Sequence, residues 1–319
     1  MVLKPLRFRP YLKQTIWGGD KIARLKQMAD APEMIGESWE VSDVPGCESV
    51  CPDAGGLSVG QLVERYGERL LGRHVSAHCG QSFPLLVKLI DARQSLSVQV
   101  HPDDETARRL GQPCGKTEMW YLLDSDPDAF LYCGLRQEIS REQYQQMVGN
   151  DTICDALARY QVSEGDVFFI PPGRIHTIGA GCLLVEIQQA SDVTYRIYDY
   201  GRRDSQGRQR QLHTSEAMES IDFAVLPDYR THYEVRPGQA VGLVSCPYFT
   251  TSLCDIARPV SIAQEPLDSF VILVALTGRL KVTTDGGSAT LNSCETLLVA
   301  AENKTVTIEG RGRLLEVHC

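Results

Sequence analysis

The chain has 319 residues, and Asp and Glu outnumber Lys and Arg by 41 to 32, which gives a formal net charge of −9. At roughly 150 residues per domain, this length predicts about two domains, each large enough for a core of its own. An acidic chain lacks the basic face that nucleic-acid binding needs. The longest apolar run, residues 270–276, is far shorter than the ~20 residues of a membrane-spanning helix. We therefore expect neither a nucleic-acid partner nor a membrane partner.

The cysteines indicate a reducing compartment. There are eleven of them, an odd number, scattered without a Cys-x-x-Cys pair. The N-terminal residues show no apolar segment of the kind found in signal peptides. This usage predicts reduced thiols that mostly fill the core, and hence a cytoplasmic location.

Four helices are predicted in the first half of the chain. Ser-x-x-Gln capping boxes begin the helices expected over residues 58–72 and 140–148. Residues 102–111 begin with three acidic side chains, which the dipole of a helix favours in its first turn. We expect a further short helix over residues 152–160.

The rest of the pattern is β-structure. The polar stretch 199–213 predicts a loop, or an ordered tail packed over a site, and a smaller separate β unit begins at about residue 233. Gly and Pro punctuate short apolar runs throughout the chain, as in a β sandwich or barrel. Runs rich in β-branched and aromatic residues predict strands over residues 118–123, 129–132, 167–170, 182–188, 270–275, 279–283, 296–299 and 304–308.

A weak internal repeat links the two parts of the chain. Residues 165–178 can be laid over residues 294–307, and the Leu-Val-Glu ending at Glu186 falls on the Leu-Leu-Glu ending at Glu316. The two copies then share a strand-turn-strand pattern, but Thr305 stands where the first copy has His176. Chance similarity is the alternative interpretation.

Two of the seven histidines lie in contexts that favour metal binding. Gln99 and His101 are two residues apart, so on a strand they point to the same face. His176 follows a Pro-Gly turn that fixes its direction. Glu118 begins an otherwise apolar strand, where a carboxylate is costly unless it is paired or binds a metal. These four side chains form a mixed nitrogen and oxygen set that suits zinc and tolerates manganese or iron; the alternative is satisfied core histidines and a solvated Glu118.

Cations accompany these candidate ligands. Lys116 lies two residues before Glu118, and Arg196 lies ten residues after Glu186, which belongs to an apolar strand. A metal, a lysine and an arginine in one cavity would bind an anionic substrate or transition state. The alternative for Arg196 is a surface ion pair. The absence of Gly-x-Gly-x-x-Gly and Gly-x-Ser-x-Gly disfavours a nucleotide loop and a hydrolase elbow.

These motifs resemble a known family. The Gly-x5-Pro-x-Gly-x2-His turn that ends at His176 resembles the second cupin motif. The short bacterial form of type I mannose-6-phosphate isomerase is similar from about residue 5 to about residue 215, whereas the C-terminal third matches only in its general β pattern. The segments that carry the resemblance are residues 17–19, 36–40, 83–88, 97–104, 115–121 and 195–201.

The resemblance implies a mainly β fold with a few short helices. Residues 1–232 would form a catalytic cupin jelly roll, a double-stranded β-helix, with helical insertions near residues 58–72 and 140–160. Residues 233–319 would form a smaller, degenerate cupin-like β domain. The oligomeric state would be a monomer or a homodimer.

The resemblance also implies an activity: the interconversion of mannose 6-phosphate and fructose 6-phosphate with one zinc ion per chain. This reaction moves a proton between C1 and C2 through an enediolate, so it needs a base and stabilisation of negative charge. The base stays open between Glu186, a zinc-bound water and Lys116. By resemblance, the metal ligands are Gln99, His101, Glu118 and His176, and the catalytic residues are Arg196, Lys116 and Glu186.

Three further residues are candidates for substrate binding. Lys88 and Ser97 are expected at the phosphate end of a hexose phosphate. Trp17 either forms a wall of the sugar pocket or belongs to the ordinary core. Two other functions are kept: a cupin isomerase for another sugar phosphate such as glucose 6-phosphate, and a metal-containing sugar-binding protein without turnover.

Overall fold

The computed structural model describes residues 2–203 and 206–319, which form mainly antiparallel β-structure. The strands are β1 (Leu6–Arg7), β2 (Tyr11–Gly19), β3 (Ile35–Val41), β4 (Val50–Cys51), β5 (Leu57–Ser58), β6 (Leu85–Ala92), β7 (Val98–Val100), β8 (Glu118–Ser125), β9 (Phe130–Leu135), β10 (Leu157–Gln161), β11 (Val167–Ile170), β12 (His176–Ile178), β13 (Cys182–Gln189), β14 (Tyr195–Tyr198), β15 (Arg230–Thr231), β16 (Ala240–Ser245), β17 (Thr250–Ile256), β18 (Val260–Ala263), β19 (Val271–Thr284), β20 (Gly287–Asn292), β21 (Thr296–Val299) and β22 (Thr305–His318).

The helices are short. None of them, in the part of the chain that the structure describes, has the length and apolar character needed to cross a bilayer. They are α1 (Lys21–Leu25), α2 (Val59–Tyr66), α3 (Glu68–Leu71), α4 (Arg73–Cys79), α5 (Asp104–Arg109), α6 (Arg141–Gly149) and α7 (Thr214–Ser220), with 3₁₀ turns at Pro52–Ala54, Ile153–Ala156 and Glu265–Leu267.

Both predicted capping boxes are present, with Ser58 and Ser140 accepting hydrogen bonds from the amides of the glutamines three residues later. The helix expected over residues 152–160 is wrong in its second half. Only Ile153–Ala156 is helical, as a 3₁₀ turn, and β10 follows. Because β9 offers β10 a partner edge for antiparallel pairing, ladder hydrogen bonds override the local helix preference of this segment.

Two sheets enclose the predicted site. The first has the order β15-β11-β8-β13-β6-β2-β3, and the second has the order β10-β9-β12-β7-β14. Trp120, Leu122 and Leu184 from the first sheet pack with Leu131 and Ile178 from the second in one buried cluster. This face-to-face arrangement of antiparallel sheets is the expected jelly roll.

A third sheet covers the outer face of the first. Its order is β1-β21-β19-β22-β17-β16, with β18 and β20 paired to β22 and β19. Val87 and Val185 on the outer face of the first sheet share a buried cluster with Ile272 and Leu315 of the third. Strands β6 and β13 are therefore buried on both faces, which explains their nearly continuous apolar sequence.

The strand pairings support the internal repeat. Ile170 on β11 lies opposite Glu118, and Val299 on β21 lies opposite Val271 in the corresponding pair. The same offset lays residues 165–178 over 294–307. The third sheet therefore has valine where the first has Glu118.

Strand β1 complicates the predicted division of the chain. It belongs to the third sheet, with Leu6 paired to Leu298, although it comes from the first residues of the chain. The boundary between residues 232 and 233 stays a prediction. By sequence β1 belongs to the predicted first domain, but by strand pairing it belongs to the sheet of the predicted second domain. The strands expected over 270–275 and 279–283 form one strand, β19, whose register shifts between Ala275 and Thr277.

Candidate functional site

The two enclosing sheets bring His101, Glu118 and His176 together. One ligand atom of each lies within 4.8 Å of the others, and all three residues are buried. The Nε2 atoms of His101 and His176 lie 3.5 and 3.4 Å from the carboxylate oxygens of Glu118. The histidines come from the five-stranded sheet and Glu118 from the seven-stranded sheet, so the cluster lies between the two sheets.

Hydrogen bonds on the outer side of each imidazole orient these histidines. The Nδ1 atoms of His101 and His176 lie 2.8 Å from the backbone oxygens of Val193 and Arg174, and they donate to them. In a neutral ring, the lone pair is then on Nε2, which faces the cluster. Among the described residues, His101 Nε2 and Glu118 Oε1 are buried without a hydrogen-bond partner, whereas Glu118 Oε2 is paired with the Lys116 ammonium at 2.9 Å. Unsatisfied acceptor atoms that converge in this way fit a divalent metal ion.

The electrostatics of the cluster favour the same conclusion. Burial lowers the pKa of His176 to about 3 and the pKa of His101 well below its usual value, so both rings are neutral at neutral pH. Burial and the charge of Glu186 raise the pKa of Glu118 to about 7, although Lys116 opposes the shift. Neutral imidazoles and an ionisable carboxylate are the protonation states that a metal requires.

Gln99 lies beside the cluster. Gln99 on β7 is directly opposite His176 on β12, and the side-chain nitrogen of Gln99 lies 3.2 Å from His176 Nε2. Rotating the amide by 180° would present its oxygen at this position instead. The fourth predicted ligand is thus adjacent to the other three.

A chain of buried charges adjoins the cluster. Lys116 Nζ lies 2.9 Å from Glu118 and 3.9 Å from Glu186. Lys88 Nζ lies 3.1 Å from Glu186 and 3.5 Å from Glu37. Glu186 is directly opposite Lys88 on β6 and opposite Trp120 on β8, so the strand register creates these contacts.

The protonation state of Glu186 follows from its neighbours. Burial alone would raise its pKa, but Lys116, Lys88 and the indole N–H of Trp120 outweigh burial and lower the pKa to about 2. The Trp120 hydrogen bond measures 2.9 Å. Glu186 is therefore a carboxylate at neutral pH, held by two ammonium groups.

A cavity of about 450 Å³ lies next to these groups. It contains all seven predicted site residues outside the His101, Glu118 and His176 cluster, and it reaches that cluster through Gln99 and Lys116. Trp17 is only 4% exposed and belongs to the core cluster as well as to the cavity wall; its contact with a sugar stays a prediction. The predicted lining residues are Trp17, Lys88, Ser97, Gln99, Lys116, Glu186 and Arg196.

Arg196 holds an unneutralised charge in this cavity. Its Nε donates to Ser97 Oγ at 3.2 Å and its Nη1 to the backbone oxygen of Gln211 at 2.9 Å. Among residues 2–203 and 206–319, no carboxylate lies within 4.0 Å of its guanidinium. The ammonium groups of the cavity lysines, by contrast, each have a carboxylate within that distance. The predicted alternative of a surface ion pair is therefore absent from the described residues.

Four charged residues of the cavity lining are absent from the predicted set: Lys13, Glu37, Asp192 and Arg210. The stretch 199–213 is predicted as a loop or as an ordered tail packed over a site, and Arg210 is its contribution to the cavity lining. Lys13 gave no signal, because its place depends on the pairing of β2 with β3 across the sheet. Its ammonium lies 3.5 Å from Asp192 and 3.9 Å from Glu37, and its side chain is partly exposed.

Comparisons with known proteins agree with this geometry. A family model for the catalytic domain of type I phosphomannose isomerase matches residues 6–130. A second, for the cupin domain of mannose-6-phosphate isomerase, matches residues 240–319. The C-terminal third therefore resembles the family more specifically than its general β pattern indicated.

Individual relatives cover most of the chain. Mannose-6-phosphate isomerase ManA of Bacillus subtilis is 33% identical over 286 residues, 88% of each chain. Mannose-6-phosphate isomerase of Streptococcus mutans is 33% identical over 282 residues, 88% of this chain and 87% of the relative. The crystal structure of the mannose 6-phosphate isomerase from Bacillus subtilis superposes with a TM-score of 0.89 at 29% identity, covering 99% of each chain. The chain belongs to the type I mannose-6-phosphate isomerase family.

Proposed function

We propose that the chain interconverts mannose 6-phosphate and fructose 6-phosphate by proton transfer through an enediolate, with one zinc ion per chain. The observation that carries this proposal is the convergence of buried ligand atoms of His101, Glu118 and His176 within 4.8 Å of one another. They lie beside a cavity that holds Arg196, a cation that no carboxylate of the described residues neutralises. The relatives named mannose-6-phosphate isomerase support the choice of substrate.

His101, Glu118 and His176 would hold the metal, with Gln99 as a fourth ligand. Two imidazole nitrogens and carboxylate and amide oxygens form a set that zinc accepts. When bound, the ion supplies Lewis acidity, which polarises the sugar carbonyl and favours the enediolate.

Lys116 is our choice for the group that exchanges the proton. Glu186 is a weak base, because its pKa is lowered to about 2 and its oxygens contact Lys88 and Trp120. The Lys116 ammonium lies at the junction of the cluster and the cavity, 2.9 Å from Glu118. In its neutral form, an amine in this position accepts a proton from one sugar carbon and returns it to the next. Glu186 then acts through charge, by holding Lys116 in place.

Arg196 would stabilise negative charge. A guanidinium stays protonated at any working pH, so it acts as a cation and not as a base. Because no carboxylate of the described chain neutralises it, its field is available to the phosphate or to the enediolate. Ser97, 3.2 Å from Arg196 Nε, is our candidate for a neutral hydrogen-bond donor at the phosphate end.

The sequence-based placing of Lys88 at the phosphate stays a prediction, but its surroundings favour another role. Its ammonium already contacts two carboxylates, those of Glu186 and Glu37, and a phosphate placed there would meet both negative charges. We propose that the buried Lys88 keeps Glu186 ionised. Lys13 also faces two carboxylates, Asp192 at 3.5 Å and Glu37 at 3.9 Å, but it is partly exposed and these contacts are longer, so we propose that Lys13 contributes the second phosphate cation.

The decisive experiment is an assay of mannose 6-phosphate conversion on protein stripped with a chelator and then resupplied with zinc. We expect turnover that disappears with the metal and returns with zinc. Activity that survives complete metal removal contradicts the metal proposal. Faster conversion of glucose 6-phosphate would contradict the substrate, and tight sugar binding without turnover would favour the sugar-binding alternative.

Two further properties stay proposals. We place the protein in the cytoplasm on the sequence argument, and its eleven cysteines are all free thiols in the structure. A monomer or a homodimer remains the expected state, and sedimentation equilibrium distinguishes the two.

A further inference from the structure

We infer that Asp104 and Tyr248 are positioning residues for Lys116: together they fix the loop that carries this lysine into the site. The inference rests on the proposed function, because it concerns the residue that we assign to proton exchange. Nothing in the family resemblance points to Tyr248, which lies in the turn between β16 and β17 of the third sheet.

Three consecutive amides of the loop have named acceptors. The N–H of Gly115 donates to Asp104 Oδ1 at 2.8 Å, and the N–H of Lys116 donates to the backbone oxygen of Pro102 at 3.0 Å. The N–H of Thr117 donates to Gln189 Oε1 at 2.8 Å. The amides on both sides of Lys116 therefore donate to side chains, while the backbone N–H of Gln189 donates to the carbonyl oxygen of Thr117 at 3.1 Å.

Asp104 is the centre of this arrangement. Besides the Gly115 amide, its Oδ1 accepts a hydrogen bond from Gln189 Nε2 at 3.1 Å, and its Oδ2 accepts one from the Tyr248 hydroxyl at 2.7 Å. Burial raises the pKa of Asp104, but the bonds from Tyr248, Gly115 and Gln189 outweigh burial and lower it. Asp104 is thus a carboxylate at neutral pH, and hydrogen bonds to a charged acceptor are the strong ones.

Close packing leaves the loop little freedom. A Cβ atom built on Gly115 would lie 2.6 Å from the carbonyl carbon of Asp103 and 2.7 Å from the amide nitrogen of Asp104. The loop therefore rests directly on the first turn of α5. A shift of Asp104 is transmitted to Gly115 and then to Lys116, whose ammonium must keep its 2.9 Å contact with Glu118. Displacements of about 1 Å at a reacting group can cost ~100-fold in rate.

The third sheet thereby contributes to catalysis without contacting the substrate. Among the described residues, the Tyr248 hydroxyl is the only group of the third sheet and its turns that takes part in these hydrogen bonds around Asp104. Removing that hydroxyl should loosen Asp104 while leaving the metal ligands and the cavity lining unchanged.

The test compares two tyrosines of the C-terminal part of the chain. Tyr248→Phe removes the bond to Asp104. The matched control, Tyr233→Phe, removes a hydroxyl that donates at 2.6 Å to the backbone oxygen of Gly165, in a turn outside the site. With zinc-loaded protein, we expect Tyr248→Phe to lower kcat about threefold to tenfold with KM within twofold, and Tyr233→Phe to leave both constants unchanged.

A second set of variants tests whether Tyr248 acts on the Lys116 loop through Asp104. Asp104→Asn keeps acceptor capacity at Oδ1 and should lose less kcat than Asp104→Ala. The double variant Tyr248→Phe/Asp104→Ala should be no worse than Asp104→Ala alone, because Tyr248 acts through Asp104. Additive losses would overturn the inference.

Amide hydrogen exchange gives a readout that does not depend on activity. Exchange at Gly115, Lys116 and Thr117 should be faster in Tyr248→Phe and Asp104→Ala than in wild type or in Tyr233→Phe. Unchanged exchange in both variants overturns the inference, whatever the activity. Absence of turnover in zinc-loaded wild type overturns the proposed function instead, so the two failures are distinguishable.

Discussion

Replacing Lys88 with methionine distinguishes a structural role from a phosphate-binding role. Lys88→Met keeps the length of the side chain and removes a buried charge that lies 3.1 Å from Glu186 and 3.5 Å from Glu37. At an effective dielectric constant of about 20, the attraction to Glu186 alone is about 5 kcal/mol. Because removing one partner leaves buried carboxylates uncompensated, we expect the free energy of unfolding to fall by about 3–5 kcal/mol.

The assay is urea unfolding of the metal-free protein, together with KM for mannose 6-phosphate. Lys13→Met is the control for stability, since Lys13 is partly exposed and its pairs with Asp192 at 3.5 Å and Glu37 at 3.9 Å should contribute at most about 1 kcal/mol. The double variant Lys88→Met/Glu186→Gln should recover part of the lost stability, because it also removes a charge that Lys88 compensated. The reasoning is refuted if Lys88→Met unfolds within about 1 kcal/mol of wild type while KM rises tenfold or more.

Three further predictions concern the metal and the cavity. His101→Ala should lose bound metal and activity together, whereas His78→Ala, on α4 outside the site, should lose neither; metal analysis and turnover check both. Arg196→Ala should keep its metal and lose about 100-fold or more in kcat, because it removes a cation that no carboxylate of the described residues neutralises; full activity would contradict this role. Below pH 7, metal binding should release about one proton, because Glu118 has a pKa of about 7, whereas burial lowers the pKa of His176 to about 3 and that of His101 well below its usual value. The affinity should then fall about tenfold per pH unit as pH decreases; calorimetry in buffers of different ionisation enthalpy measures the protons, and release of two or more would contradict the assignment.

Local spacing made most of the candidate metal cluster predictable. Gln99 lies on β7 and His101 directly follows that strand, and a turn precedes His176, so neither feature depends on distant parts of the chain. The pairing of Glu186 with Lys88 across two strands could not be predicted from the sequence, because it depends on the register of β13 against β6. The error at residues 157–161 has the same cause: a partner edge on β9 decided the conformation.

The position of β1 has a consequence for how the protein forms during synthesis. Leu6 pairs with Leu298, so this contact closes only when almost the whole chain has left the ribosome. At ~5–20 residues per second, the first strand waits roughly 15 to 60 seconds for its partner. During that time, the edge of β21 that β1 covers does not yet exist, and the apolar Leu6 must stay out of other contacts. An N-terminal fusion or truncation that reaches residue 6 should therefore reduce the yield of folded protein more than its small contact area suggests.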